Sequence, residues 1–132
     1  MNVLRFVTRI VLVAVVCGLT TRWAGWVSLP FVGFIYGVAD RRARARGSIA
    51  ALGAALGWIA ILGAEAARGA DIRAVAERVG AVMQVPALAF IMITLMFAAL
   101  LCGAAAVLGA GLGAAIARIA TKYVDRSSPV LG

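Results

Sequence analysis

Two cysteines and a few carboxylates are the side chains of this sequence with the most evident chemistry. Cys17 and Cys102 could form a disulfide or a redox pair, and two carboxylates could share acid–base work. The five acidic residues, however, contain no pair at hydrolytic spacing. The chain has no histidine, which removes histidine-based metal sites, histidine-ligated haem or chlorophyll, and triads with a histidine base. By residue count Cys17 falls near the outer end of the first apolar span and Cys102 toward the inner half of the last. The expectation is therefore two ordinary buried cysteines that behave as small apolar residues. No catalytic residue, metal ligand or cofactor is expected, and the chain does not read as an enzyme.

The elements that would carry these residues are set by composition. Of the 132 residues 64% are hydrophobic and 14% charged, with a mean hydropathy of +1.05. A soluble domain of this length exposes too much surface to hide so much apolar material. The reading is a single all-α integral membrane domain covering residues 1–132. The net charge of +8 does not point to nucleic acid, because the arginines flank apolar runs instead of lining one soluble face with stacking aromatics. Anionic lipid headgroups are the expected partner.

Residues 2–39 are too long for one crossing, which takes about 20 helical residues. A hairpin follows, with its turn at Thr20-Thr21-Arg22-Trp23, because Arg22 would otherwise lie in mid-membrane. Trp23 and Trp26 serve as interfacial anchors. The expected spans are 3–20 and 23–39, with Pro30 kinking the second. Near that kink, Trp26 and Ser28 could line a small cavity, although a single serine says little for a pore. Arg9 must then snorkel toward water, and Asp40 at the end of the second span is its expected partner.

Span three covers 47–64 and closes at Glu65. Residues 71–83 show helical periodicity, with Ile72, Val75, Ala76, Val79, Val82 and Met83 on one face and Asp71, Arg73, Glu77 and Arg78 on the other. This is an outer interfacial amphipathic helix, or one that caps the bundle or docks on a partner. The fourth span, 86–117, starts with Pro86 in its first turn. The uncharged stretch 85–117 is well over 40 Å long as a helix, at about 1.5 Å per residue. It must tilt strongly or project beyond the membrane, and the polar tail from Tyr123 is expected to be disordered.

Four spans place Arg5, Arg9, Arg41, Arg42, Arg44, Arg46, Arg118, Lys122 and Arg126 inside, nine of the thirteen basic residues. Arg22, Arg68, Arg73 and Arg78 remain outside, so the positive-inside bias predicts both termini in the cytoplasm and a multi-pass protein of the inner (cytoplasmic) membrane. Arg5 and Arg9 before the apolar run 10–16 also suggest a signal peptide, but Val16 before Cys17 fits a cleavage box poorly, and a retained anchor is expected. No ionisable group can be placed at the bilayer centre, which argues against ion-coupled transport. Small multidrug exporters share the size and span count but depend on a buried glutamate in the first span, and no acidic residue stands there here.

Small residues recur every four positions: Ala14 and Gly18, Gly33 and Gly37, Gly53 and Gly57, then the row Ala105, Gly109, Gly113 and Ala117. Such rows let helix backbones approach closely. Met92, Met96 and Phe97 form a bulky patch expected to face lipid or the bundle. Trp23, Trp26, the run Pro30-Phe31-Val32-Gly33-Phe34, the arginine loop and Leu56-Gly57-Trp58 together resemble a group of small uncharacterised bacterial four-span membrane proteins, which likewise carry an interfacial hydrophobic segment before a Gly-rich final helix. The likeness covers most of the chain, implies no activity and carries over no functional residue. The functional expectation is a non-catalytic structural or accessory subunit of a larger membrane complex, contacting lipid or other membrane subunits through Arg41, Arg42, Arg44 and Arg46 and docking through its small-residue faces. The alternative is a small oligomeric channel or passive transporter.

Overall fold

A computed structural model describes residues 3–40 and 45–127, with side chains through Lys122. Every element among the described residues is helical: α1 (Val3–Ala24), a short 3-10 turn (Gly25–Val27), α2 (Ser28–Ala39), α3 (Arg46–Ala67), α4 (Ile72–Met83) and α5 (Ala87–Ser127). Three stretches, Val3–Ala39, Arg46–Ala67 and Ala87–Lys122, are long and apolar enough to cross a membrane.

The first of these stretches folds back on itself. Gly25 takes φ +68, a left-handed conformation that a side chain would resist. Ser28 closes the turn by donating its hydroxyl to the Gly25 carbonyl at 2.8 Å, and it lies 3.4 Å from the Thr21 hydroxyl. The turn therefore sits at residues 25–27, not at Thr20–Trp23, which continue α1. Arg22 can stay helical because it reaches a carboxylate at the bundle end. The second arm of the hairpin starts at Ser28, not Trp23, and has only 12 residues. At about 1.5 Å per residue it is about 18 Å long, against a hydrocarbon core of about 30 Å. Pro30 sits in the first turn of α2, where its missing N–H leaves no helical bond broken, so it does not kink the helix.

Glycine-mediated contacts give the directions of the helices. Gly53 of α3 meets Ile10 and Val13 of α1, and Gly57 meets Ala14 and Cys17, so α1 and α3 run parallel. Gly33 and Gly37 of α2 press on the Cys102 and Ala106 carbonyls of α5, so those two also run parallel. Gly47 lies against Val107, and Ala51 against Gly103, which makes α3 and α5 antiparallel. The four helices form a ring in the order α1, α3, α5, α2. Its centre is filled by Val13, Cys17, Leu29, Ala50, Ala54, Ala98, Cys102 and Ala106. Half of these are alanines, so the bundle is held by close backbone approach and dispersion more than by large side chains.

α4 packs against the start of α5, with Gly80 against Val85 and Ala87. Asp71 caps its N-terminus by accepting from the Ala74 N–H at 2.9 Å. At the other end Gln84 adopts the left-handed region, φ 58, and the Val85 N–H returns to the Gly80 carbonyl at 2.9 Å. Of the apolar face expected for this helix, only Ile72 and Ala76 turn inward, together with Gly80. Val75, Val79, Val82 and Met83 face outward. α5 runs for 41 residues and does not stop at Ala117 or Tyr123. Its pairing with α2, in which Gly33 meets Cys102, Gly37 meets Ala106 and Gly109 meets Phe34, places Asp40 near the level of Gly111, so about 16 residues, or about 24 Å of helix, continue past that end of α2.

Candidate functional site

Among the described residues, the polar side chains that join different helices gather in two clusters at opposite ends of the ring, and a thiol pair lies at its centre. In the first cluster, Arg9 Nη1 lies 2.7 Å from Asp40 Oδ2, and the Tyr36 hydroxyl donates to the same oxygen at 3.2 Å. The expected partner of Arg9 is therefore in place. The contact exists because the hairpin returns Asp40 to the depth of the second turn of α1. Arg46 opens α3 at the same end. Arg41, Arg42 and Arg44 lie outside the described residues.

At the opposite end, Arg22 of α1 and Arg68 beyond α3 converge on one acceptor. Arg22 Nη1 donates to Glu65 Oε1 at 3.0 Å and Arg68 Nη1 donates to the same oxygen at 2.7 Å. Two cations share one carboxylate, so the cluster carries a net positive charge. Beyond it, on α4, Arg73 and Glu77 pair at 2.8 Å, one helical turn apart. The Arg22 cluster was legible in principle. Parallel α1 and α3 pack with an offset of about 43 residues, which puts Arg22 and Glu65 at one depth, but that offset follows from packing and not from hydropathy.

Cys17 and Cys102 are both buried, with 1% and 0% of their surfaces exposed, and both are free thiols. The expectation that they sit at different depths does not hold, because they face each other across the diagonal of the ring. Moving the turn from Thr20–Trp23 to Gly25–Val27 drops Cys17 by more than one helical turn, about 7 Å. Cys102 in turn belongs to the true packing row of α5: Ala98, Cys102, Ala106 and Ala110, all at most 4% exposed. The expected row is the flank of that face. Gly109 and Gly113 are buried, with Gly109 against the Phe34 carbonyl, while Ala105 and Ala117 are only half-buried. Gly33, Gly37, Gly53 and Gly57 are buried.

Trp23 precedes the turn and Trp26 lies within it, and both point outward, with Trp23 90% exposed. Met92, Met96 and Phe97 also face out. Among the described residues no group of three or more histidine, cysteine or carboxylate side chains gathers to hold a metal. What the arrangement provides is a closed small-residue core, two charged ends and a projecting helix. Comparison with protein-family models, with curated proteins and with solved structures finds no match, so the functional reading rests on this geometry.

Proposed function

We propose that the chain is a non-catalytic accessory subunit of a larger membrane complex. The observation that carries this reading is α5. Its 41 residues outrun the 22 of α1 and of α3, and Leu112, Ile116 and Ile119 on the overrun are each about half exposed. A helix that keeps apolar side chains uncovered past the end of its own bundle has the form of a docking arm. Gly33, Gly37, Gly53 and Gly57 are consumed inside the ring, so docking falls to the outer face and overrun of α5 and to the exposed valines of α4. In this reading α1 to α3 and α5 are four crossings, with α2 as a short one flanked by Trp23 and Trp26, and α4 lies in the outer interface.

Arg9, Arg46, Arg118 and Lys122 stand at one end of this arrangement, and the positive-inside bias makes that end cytoplasmic, with both termini there and the inner membrane as location. The same basic end would contact anionic lipid or an acidic subunit surface. The test is extraction in a mild detergent followed by mass spectrometry of co-purifying chains. A second membrane polypeptide in fixed stoichiometry is the expected result. A pure homo-oligomer that conducts ions or solutes in liposomes would replace the accessory role with that of a channel.

A further inference from the structure

A groove of about 350 Å³ runs down the outside of the α1–α3 seam. Its floor is made of Ala14, Gly18, Gly57 and Ala60, and its mouth is formed by Arg22 and Arg68. The floor is tight, since a Cβ on Gly57 would lie 2.8 Å from the Ala14 carbonyl, but Gly18 has room, with only the Gly57 carbonyl at 3.9 Å. The seam is therefore closed at its base and open outward as a slot. An α-helix is about 10 Å across and would not enter it, whereas a single hydrocarbon chain would.

The mouth selects the other end of the occupant. Arg22 and Arg68 are 56% and 55% exposed and both use Nη1 on one Glu65 oxygen, which leaves most of the five N–H donors of each guanidinium free. Two cations against one carboxylate leave one positive charge unmatched, and a phosphate diester matches it in charge and in hydrogen-bond geometry. Two further grooves differ in this respect. The one between α1 and α2 is lined from Leu12 to Ala39 by apolar groups with Thr20 and Tyr36 and has no cation in its wall, and Arg9 nearby is matched one to one by Asp40. The groove between Phe34 and Leu108 is wholly apolar.

We infer that the α1–α3 groove is a binding site for one anionic phospholipid, with an acyl chain against Gly18 and Ala60 and the phosphate between Arg22 and Arg68. The test uses the full chain, purified, stripped of lipid and titrated with phosphatidylglycerol or phosphatidylcholine under native mass spectrometry. The wild type is expected to retain one phosphatidylglycerol with about tenfold preference over phosphatidylcholine. The double variant Arg22→Gln/Arg68→Gln is expected to lose that preference. Ala60→Leu, which fills the slot from an exposed position, is expected to lose retention of both lipids. Arg73→Gln, a cation removed outside the groove, is expected to retain the lipid as the wild type does. Equal retention by wild type and the double variant, equal affinity for the two lipids, or full retention by Ala60→Leu would overturn the assignment. So would competition by glycerol phosphate as effective as by the lipid, which marks a headgroup site alone, or a polypeptide that co-purifies in the groove's place and is released by the same variants.

Discussion

Replacing Gly109 with alanine and, separately, Gly111 with alanine makes the same chemical change two residues apart on one helix, and the two are expected to act in opposite directions. A Cβ at Gly109 would run into the Phe34 carbonyl on α2, whereas one at Gly111 would meet nothing within 4 Å. Both variants gain helix propensity, worth up to about 1 kcal/mol, so their difference isolates the packing. The Phe34 carbonyl belongs to helical backbone and cannot rotate aside. α2 and α5 must therefore separate, and that loosens Gly33 from Cys102 and Gly37 from Ala106 as well. Overpacking of this kind costs about 1–3 kcal/mol. Gly111→Ala should be neutral or stabilised, with Gly109→Ala lower by about that amount.

The protein carries its own reporter for this comparison. Cys17 and Cys102 are its only cysteines and both are buried, so a maleimide in mild detergent modifies them only when the ring opens. With about 1.4 kcal/mol per factor of ten, the two variants should differ about 5- to 150-fold in labelling rate. Equal labelling rates would refute the view that glycine lets α2 and α5 meet backbone to backbone.

Three further outcomes are expected, each read from the midpoint of detergent-induced unfolding. In a double-mutant cycle, Arg9→Ala and Asp40→Ala should couple by about 0.5–1 kcal/mol, the range of a partly exposed ion pair; strictly additive losses would mean that the pair contributes nothing. Ser28→Ala should cost about 1 kcal/mol by leaving the Gly25 carbonyl without its hydroxyl donor, and an unchanged midpoint would remove that bond from the account of the turn. Gln84→Gly should stabilise the α4–α5 junction by about 1 kcal/mol, because glycine takes the left-handed conformation without the steric cost that glutamine bears; a loss of stability would mean that the Gln84 side chain holds the junction in some other way.

Hydropathy made the long apolar helices and the amphipathic segment legible, because both are periodicities of single elements. Asp71 and Glu65 could be placed near helix ends for the same reason, and the Arg9–Asp40 pair followed once a hairpin was assumed. What composition hid was register. The turn at Gly25–Val27 depends on one left-handed glycine and on Ser28, neither of which stands out in a chain with fifteen glycines, and a shift of about one helical turn was enough to separate Cys17 from Cys102 on paper. The expected row Ala105, Gly109, Gly113 and Ala117 missed the centre of the α5 face for a related reason. Cys102 packs as a small residue between Ala98 and Ala106, but it interrupts their row of alanines, whereas Ala105, Gly109, Gly113 and Ala117 stand unbroken in the sequence. The Arg22–Glu65–Arg68 cluster needed the offset between two parallel helices, which is a property of tertiary packing alone.

The proposal of an accessory subunit turns on what covers the overrun of α5. A photo-crosslinking residue at Ile116, on that overrun, and another at Leu56, on the outer face of α3, would report their neighbours in intact cells. The account predicts one defined heteromeric adduct from Ile116, with a second membrane polypeptide that also co-purifies in fixed stoichiometry, and no such adduct from Leu56. Adducts of Ile116 with lipid or with a second copy of this chain alone would contradict it.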